Sequence, residues 1–271
     1  MTVERPTKSV AKSILSRIDP YPLFTAIGLF VFWEAGCRVL NVPPYILPPP
    51  SLAVGAIVEY WPVIVMHASY TLFATVIGFL FATAFGLVLG VLVGAFPKLY
   101  RAINPILIGF NSIPKVAVVP ILVLWFGIGT VPAVVTAFLV AFFPIVVNVA
   151  IGIATIEPEL VDVLRSLGAS RLDVVKKVGL PRSMPYFFAA LKIAITLAFV
   201  GTVISETVAS NYGIGYLMLS ASSSFNVPLV FAGLLVIAAL GIAMYAIAAW
   251  IEGRFTGWAT RGQEILTGSQ G

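Results

Sequence analysis

Residues 69–95 read SYTLFATVIGFLFATAFGLVLGVLVGA, an apolar stretch without a charged side chain. A bilayer core of about 30 Å takes roughly 20 apolar residues in a helix, so this stretch is long enough to cross a membrane. Gly86, Gly90 and Gly94 recur every four residues and line one face of such a helix. We expect this face to pack closely against another helix of the same chain. The alternative is a contact between subunits.

Five further segments have the same apolar character. Together the segments predict six membrane spans, at 22–40, 69–95, 104–126, 131–153, 185–209 and 228–251. The composition agrees, because 10% of the residues are charged, whereas soluble proteins carry about 25%. The sequence therefore predicts an all-α membrane protein. Its transmembrane domain covers 22–253, between an N-terminal segment (1–21) and a C-terminal tail (254–271).

The basic residues are distributed unevenly along this arrangement. In the six-span arrangement, thirteen of the sixteen Lys and Arg residues lie on one side of the membrane, in the N-terminal segment, two loops and the C-terminal tail. Cytoplasmic loops concentrate Lys and Arg, so we expect both termini and the long 154–184 loop to be cytoplasmic. Membrane orientation thus accounts for the net charge of +5, and nucleic-acid binding is not required.

The 154–184 loop has an internal pattern of its own. Apolar residues at helical spacing predict a short helix over 159–167, which Gly168 ends. Ser170 and Asp173 have the spacing of a capping box, which predicts a second short helix continuing to Val178. The loop is therefore expected to fold as helix, glycine turn and helix.

Residues 162–170, DVLRSLGAS, followed by Leu180-Pro181, resemble the EAA motif of permeases of binding-protein-dependent ABC importers. The positions of Gly168 and of the Leu-Pro pair match that motif. The Glu-Ala-Ala triplet is replaced by Asp162-Val163-Leu164. Four further segments resemble the branch that handles nitrate, sulfonates, taurine, bicarbonate and some pyrimidine vitamin precursors; they are 47–51, 113–115, 124–129 and 205–206.

The resemblance implies a fold, a site and a set of partners. It implies a type I permease of the bacterial inner membrane that pairs with a second copy of itself. A periplasmic binding protein would deliver the solute, and separate cytoplasmic ATPase subunits would bind the ATP, so this chain needs no cofactor. The first loop helix would be the coupling helix that docks on the ATPase. The implied coupling residues are Asp162, Val163, Leu164, Gly168, Ala169, Ser170 and Pro181.

Ionisable residues inside the predicted spans are candidates for the translocation pathway. Lys115 lies within the third span between Pro114 and Pro120, and Glu206 lies near the outer end of the fifth. A charge at the bilayer centre costs about 2.5–3.5 kcal/mol on insertion scales, so such groups face the bundle interior or a wet cavity. With an anionic solute, Lys115 would offer a positive surface. Structural pairing of both residues is the alternative.

The sequence gives little support to enzymatic activity, to a metal site or to another kind of transporter. It contains no phosphate-binding loop and no Gly-x-Ser-x-Gly nucleophile motif, so an enzyme is not expected. The single histidine, His67, has no metal-ligand partner at close spacing, and we expect it to be structural. A secondary carrier or channel is the alternative function. However, two matching halves are not visible, and the charged loop would remain unexplained.

Overall fold

The computed structural model of the protein describes residues 20–267, which contain helices and no strand. The predicted terminal segments therefore lie partly outside the described residues, as do the basic residues at 5, 8, 12 and 17. In chain order the helices are α1 (Pro20–Val39), α2 (Pro50–Glu59), α3 (Trp61–Ala95), α4 (Pro97–Ser112), α5 (Lys115–Phe126), α6 (Thr130–Ala154), α7 (Pro158–Ser166), α8 (Arg171–Val174), α9 (Leu180–Ala209), α10 (Ile214–Ser223) and α11 (Val227–Thr267).

Within the described chain, four helical segments are long and apolar enough to cross a membrane. They are Trp61–Ala95, Thr130–Ala154, Leu172–Ala209 and Val227–Phe255. They confirm the predicted spans at 69–95, 131–153, 185–209 and 228–251 as helices. The predicted first span, 22–40, is helical as α1 but does not meet the same criteria.

The predicted span at 104–126 is broken rather than straight, as is expected of a helix that contains Pro114 and Pro120. Helices α4 and α5 cover it and meet at a bend of 88°, and together they count as one broken span or a re-entrant loop. The break lies at Ile113 and Pro114, both of which have extended backbone angles. A residue before proline is driven out of the helical region by the proline ring, so α4 ends there.

The core of the bundle lies where α3, α6 and α9 meet. Its fully buried residues are mostly alanine, with larger aliphatic side chains contributed by α6. They are Ala82, Ala137, Ala141, Ile145, Val149, Ile153, Ala194 and Ala198. Small side chains let the helix axes approach closely, which is how helices gain packing energy in lipid.

The glycine face of α3 packs against α6. A Cβ atom added to Gly90 would lie 2.7 Å from Cβ of Val149, and one added to Gly94 would lie 2.8 Å from the carbonyl oxygen of Ala150. Both distances are too short for atoms in non-bonded contact. The face thus packs within the chain, which favours the first of the two interpretations of the glycine repeat.

Helix α1 lies at the edge of the bundle. Arg38 pairs with Glu34 one turn before it, at 2.6 Å, as their spacing predicts. Glu34 also accepts hydrogen bonds from the backbone N–H (3.0 Å) and hydroxyl (2.8 Å) of Ser51 on α2. The ring of Trp33 contacts that of Phe231 on α11, with centroids 5.6 Å apart. Most other α1 side chains are exposed.

The packing of α3 on α6 leads to a prediction about Gly90. Gly90→Val should lower the thermal midpoint of the detergent-solubilised protein, because overpacking of this kind costs about 1–3 kcal/mol. Gly28→Val in α1 is the matched control, since a Cβ atom there meets nothing within 4 Å. Equal midpoints for the two variants would contradict the proposed importance of this contact.

Candidate functional site

The 154–184 loop begins with the short helix α7, and the chain turns at Gly168 just after this helix. The N–H of Gly168 donates to the carbonyl of Arg165 at 2.9 Å, and that of Ala169 donates to the carbonyl of Leu164 at 3.0 Å. This pair of bonds is the Schellman arrangement, which satisfies the last carbonyls of a helix. Gly168 has a φ of +84°, a left-handed conformation that side chains disfavour.

The capping box after the glycine is confirmed. The Ser170 N–H donates to the Asp173 carboxylate at 3.0 Å, and the Asp173 N–H donates to the Ser170 hydroxyl at 3.2 Å. The prediction that this second helix ends at Val178 is wrong. Helix α8 passes through a π-helical turn, Val175–Gly179, directly into α9. Pro181 falls in the first turn of α9, where a missing N–H costs little.

An ion pair closes the base of this loop. Glu157, just before α7, accepts a hydrogen bond of 2.8 Å from the guanidinium of Arg182 in α9. This bond and the positive charge hold the pKa of the Glu157 carboxyl below its usual value. The pair was missed at the sequence level because the two residues lie 25 positions apart. Their opposite charges at the two ends of the loop were the only available signal.

The loop presents apolar side chains on its outer surface. Val163 is 56% exposed, Leu167 78% and Leu172 65%. Asp162 is also exposed, whereas Leu164 and Ala169 are half-buried. A loop that exposes several large aliphatic side chains in this way has the character of an interaction surface. Of the predicted coupling triplet, Asp162 and Val163 therefore face outward, and Leu164 faces the loop interior.

Lys115 begins α5, directly after the 88° bend. Its ammonium group donates to the carbonyls of Phe110 (2.8 Å), Asn111 (2.8 Å) and Ile113 (3.0 Å). These carbonyls are at the end of α4, where intrahelical partners are lacking. Lys115 also lines a cavity of about 510 Å³ together with Asn148. It therefore caps a helix and borders a cavity, and its place in the translocation pathway stays a prediction.

Glu206 lies elsewhere, in a buried contact between α3, α9 and the start of α10. Its carboxylate accepts hydrogen bonds from the hydroxyl of Thr71 (2.9 Å) and the N–H of Gly215 (3.0 Å). The residue is 3% exposed. These contacts give Glu206 a structural role, and its place in the translocation pathway stays a prediction.

The same contact continues along the start of α10. Thr71 accepts from the N–H of Ile214 at 2.9 Å, and His67 Nδ1 accepts from the N–H of Gly213 at 3.0 Å. With Glu206, three side chains bind three successive N–H groups that a helix start leaves unpaired. His67 is thus structural, as expected. Thr71 was missed at the sequence level because nothing local distinguishes it from other threonines in spans.

The chain has relatives among known transport proteins. The model of the family described as "Binding-protein-dependent transport system inner membrane component" matches residues 82–257. The chain belongs to this family. It is a multi-pass membrane permease of the type I ABC importer class, and it acts in the transport of small solutes.

Individual relatives agree with this assignment. The permease is 33% identical to the riboflavin transport system permease protein RibX of Chloroflexus aurantiacus over 239 residues, covering 86% of this chain and 88% of RibX. It is 26% identical to the taurine transport system permease protein TauC of Escherichia coli, covering 90% of this chain and 91% of TauC. Both are named as transport permeases, in keeping with a subunit that is not an enzyme.

A solved structure supports the fold. A chain of the inward-facing MetNI methionine ABC transporter superposes on the permease with a TM-score of 0.64 at 22% identity. The match covers 73% of the permease and 98% of that chain. At this identity the likeness concerns the arrangement of the helices.

Proposed function

We propose that the permease forms the translocation pathway of an ATP-driven importer of the bacterial inner membrane, as a homodimer coupled to cytoplasmic ATPase subunits. A periplasmic binding protein would deliver the solute. ATP would be hydrolysed by the ATPase, so this chain would carry no cofactor. The observation that carries the proposal is the construction of the 154–184 loop, which joins an exposed apolar surface directly to a membrane-spanning helix.

Movement of a docked partner would reach the bundle through this loop. Helix α7 carries the exposed Val163, and the Schellman turn at Gly168 holds it in one orientation to α8. Helix α8 is continuous with α9 through the π-helical turn. The Glu157–Arg182 pair fixes the other end of the loop to α9. A push on α7 would therefore displace α9 rather than deform the connection.

We propose six spans, with α1 as the first and the broken α4–α5 pair as the third. The orientation is supported by the basic residues of the described chain. Most of these basic residues lie at one end of the bundle: after α3, in the coupling loop and the start of α9, and near the end of the last span. They are residues 98, 101, 165, 176, 177, 182 and 254. Cytoplasmic segments concentrate Lys and Arg, so this end of the bundle is placed in the cytoplasm.

For the solute we propose a small anion such as a sulfonate, taurine or nitrate. Support comes from Lys115, a cation that borders a cavity within the bundle. A positive charge on the wall of such a cavity attracts an anion and repels a cation. Membership of the family does not choose the solute, because RibX is named for riboflavin and TauC for taurine.

Substitution of Gly168 tests ATPase docking. Gly168→Val should leave the permease inserted but reduce ATPase co-purification and uptake to background, since a side chain in the left-handed region costs about 1–2 kcal/mol and displaces α7. Gly168→Asn is the matched control, because asparagine tolerates this conformation better. Membrane abundance, co-purified ATPase and uptake are measured in one strain. Normal uptake by the Val variant would contradict docking through this loop.

A reporter fused to the C-terminus tests the orientation. A reporter active only in the cytoplasm should be active there, because six spans return the chain to the side on which the basic loops lie. Activity of a periplasm-specific reporter at the same position would overturn the proposed six-span arrangement. A fusion within the segment between α1 and α2 serves as the opposite-side control.

Substitution of Lys115 tests the anion proposal. Lys115→Met should retain membrane abundance and ATPase co-purification but lower uptake of an anionic solute to less than about a tenth, in line with loss of one hydrogen bond from a charged group. Lys98→Met removes an exposed cation outside this cavity and should transport normally. Unchanged uptake by Lys115→Met would restrict Lys115 to its helix-capping role.

A further inference from the structure

A cavity of about 360 Å³ lies where the coupling loop folds against the ends of two spans. Its apolar wall includes Ala95, the last residue of α3, and Ala154, the last residue of α6. Both helices leave the apolar part of the bundle at these residues. The cavity therefore lies at the level of the membrane boundary, on the side of the coupling loop.

Two arginines from different helices line this cavity. Arg101 belongs to α4, and Arg165 belongs to the coupling helix α7. Within residues 20–267 neither guanidinium has a hydrogen-bond or ion-pair partner, and no acidic side chain lines the cavity. Tyr100 adds a hydroxyl group to the same wall. Both arginine side chains are exposed, and a phosphate group held in this cavity would lie near two positive charges.

The residues that line the cavity indicate which kind of anion it would bind. Guanidinium groups bind phosphate oxygens through paired hydrogen bonds, better than the point charge of lysine does. The remaining walls are apolar, with Ile153, Val161 and Val174 among them. A ligand that suits both parts carries a phosphate group at one end and apolar groups at the other. At a membrane boundary, an anionic phospholipid meets this description.

We propose that this cavity binds the phosphate headgroup of an anionic phospholipid, such as phosphatidylglycerol, between Arg101 and Arg165. The lipid would bridge the coupling helix to α4 and so support the orientation in which α7 meets the ATPase. Its assignment to the cytoplasmic leaflet rests on the orientation proposed above. Anionic headgroups are known to occupy basic pockets between membrane helices on this side.

Lipid retention by the purified full-length permease tests the proposal. Native mass spectrometry would follow the binding of phosphatidylglycerol and of phosphatidylcholine after delipidation in detergent. The wild-type chain should retain phosphatidylglycerol in preference to phosphatidylcholine. Arg101→Gln with Arg165→Gln should weaken phosphatidylglycerol binding about tenfold or more, given the contribution of each basic residue near a lipid surface.

The matched control is Lys98→Gln with Lys176→Gln, which removes two exposed cations of the same region that do not line the cavity. It should bind phosphatidylglycerol as the wild type does. Ala95→Leu narrows the apolar wall with all charges retained, and it should also lose the lipid. This variant keeps the test valid if the double arginine variant does not fold.

Three results would overturn the lipid assignment. These are equal retention of both lipids, an equal loss in the lysine control, and complete displacement of the lipid by millimolar inorganic phosphate that itself stabilises the protein. The last result would identify a site for free phosphate. If the cavity instead receives an acidic surface of the ATPase, the isolated permease will show no preference for phosphatidylglycerol. None of these measurements requires docking or uptake, so their failure is distinguishable from failure of the proposed function.

Discussion

The close approach of α3 to α6 is the constraint on which the rest of the bundle depends. Lipid offers no hydrophobic gain for burying one apolar side chain against another, so helices associate through dense packing of small residues. Gly90 and Gly94 provide that density against Val149 and Ala150 of α6. With α6 in place, the alanines of α9 complete the core. The positions of the coupling loop, at the end of α6, and of α10, at the end of α9, follow from this arrangement.

Polar groups inside the bundle show a second constraint, the need for internal hydrogen-bond partners away from water. The hydroxyl of Thr75 donates to that of Thr202 at 3.0 Å and joins α3 to α9. Lys192 of α9 pairs with Glu252 of α11 at 2.5 Å. Each of these contacts links two helices that also pack through apolar side chains. They specify how the helices are rotated relative to one another, which apolar packing alone defines less sharply.

Much of the fold could be predicted from the sequence because periodic apolar runs report helices directly. The span predicted at 131–153 is the helix Thr130–Ala154, and the turn at Gly168 was located from one residue type. Helix α3 begins earlier than predicted, at Trp61, because Pro62 is tolerated in a first turn and does not interrupt the helix. Local patterns of this kind need no knowledge of the tertiary fold.

The remaining features depend on residues far apart in the chain. The hydrogen bond from Thr71 to Glu206 and the pairing of Lys192 with Glu252 join separate helices, and no periodicity reveals them. The 88° bend and the capping role of Lys115 also escaped prediction in detail. The prolines around Lys115 predict a broken helix, but the direction of the chain after the break is set by packing against α6 and α9.

The edge position of α1 makes its attachment separate from the packing of the core. The part of the chain that the family model matches begins at residue 82, after α1 and α2. Helix α1 is held by the Trp33–Phe231 ring contact and the Glu34–Ser51 hydrogen bonds, and none of its described side chains belongs to the alanine-rich core. Such a helix is attached to the core through a few side-chain contacts. Loss of those contacts would free α1 to move in the lipid while α3, α6 and α9 keep their mutual packing.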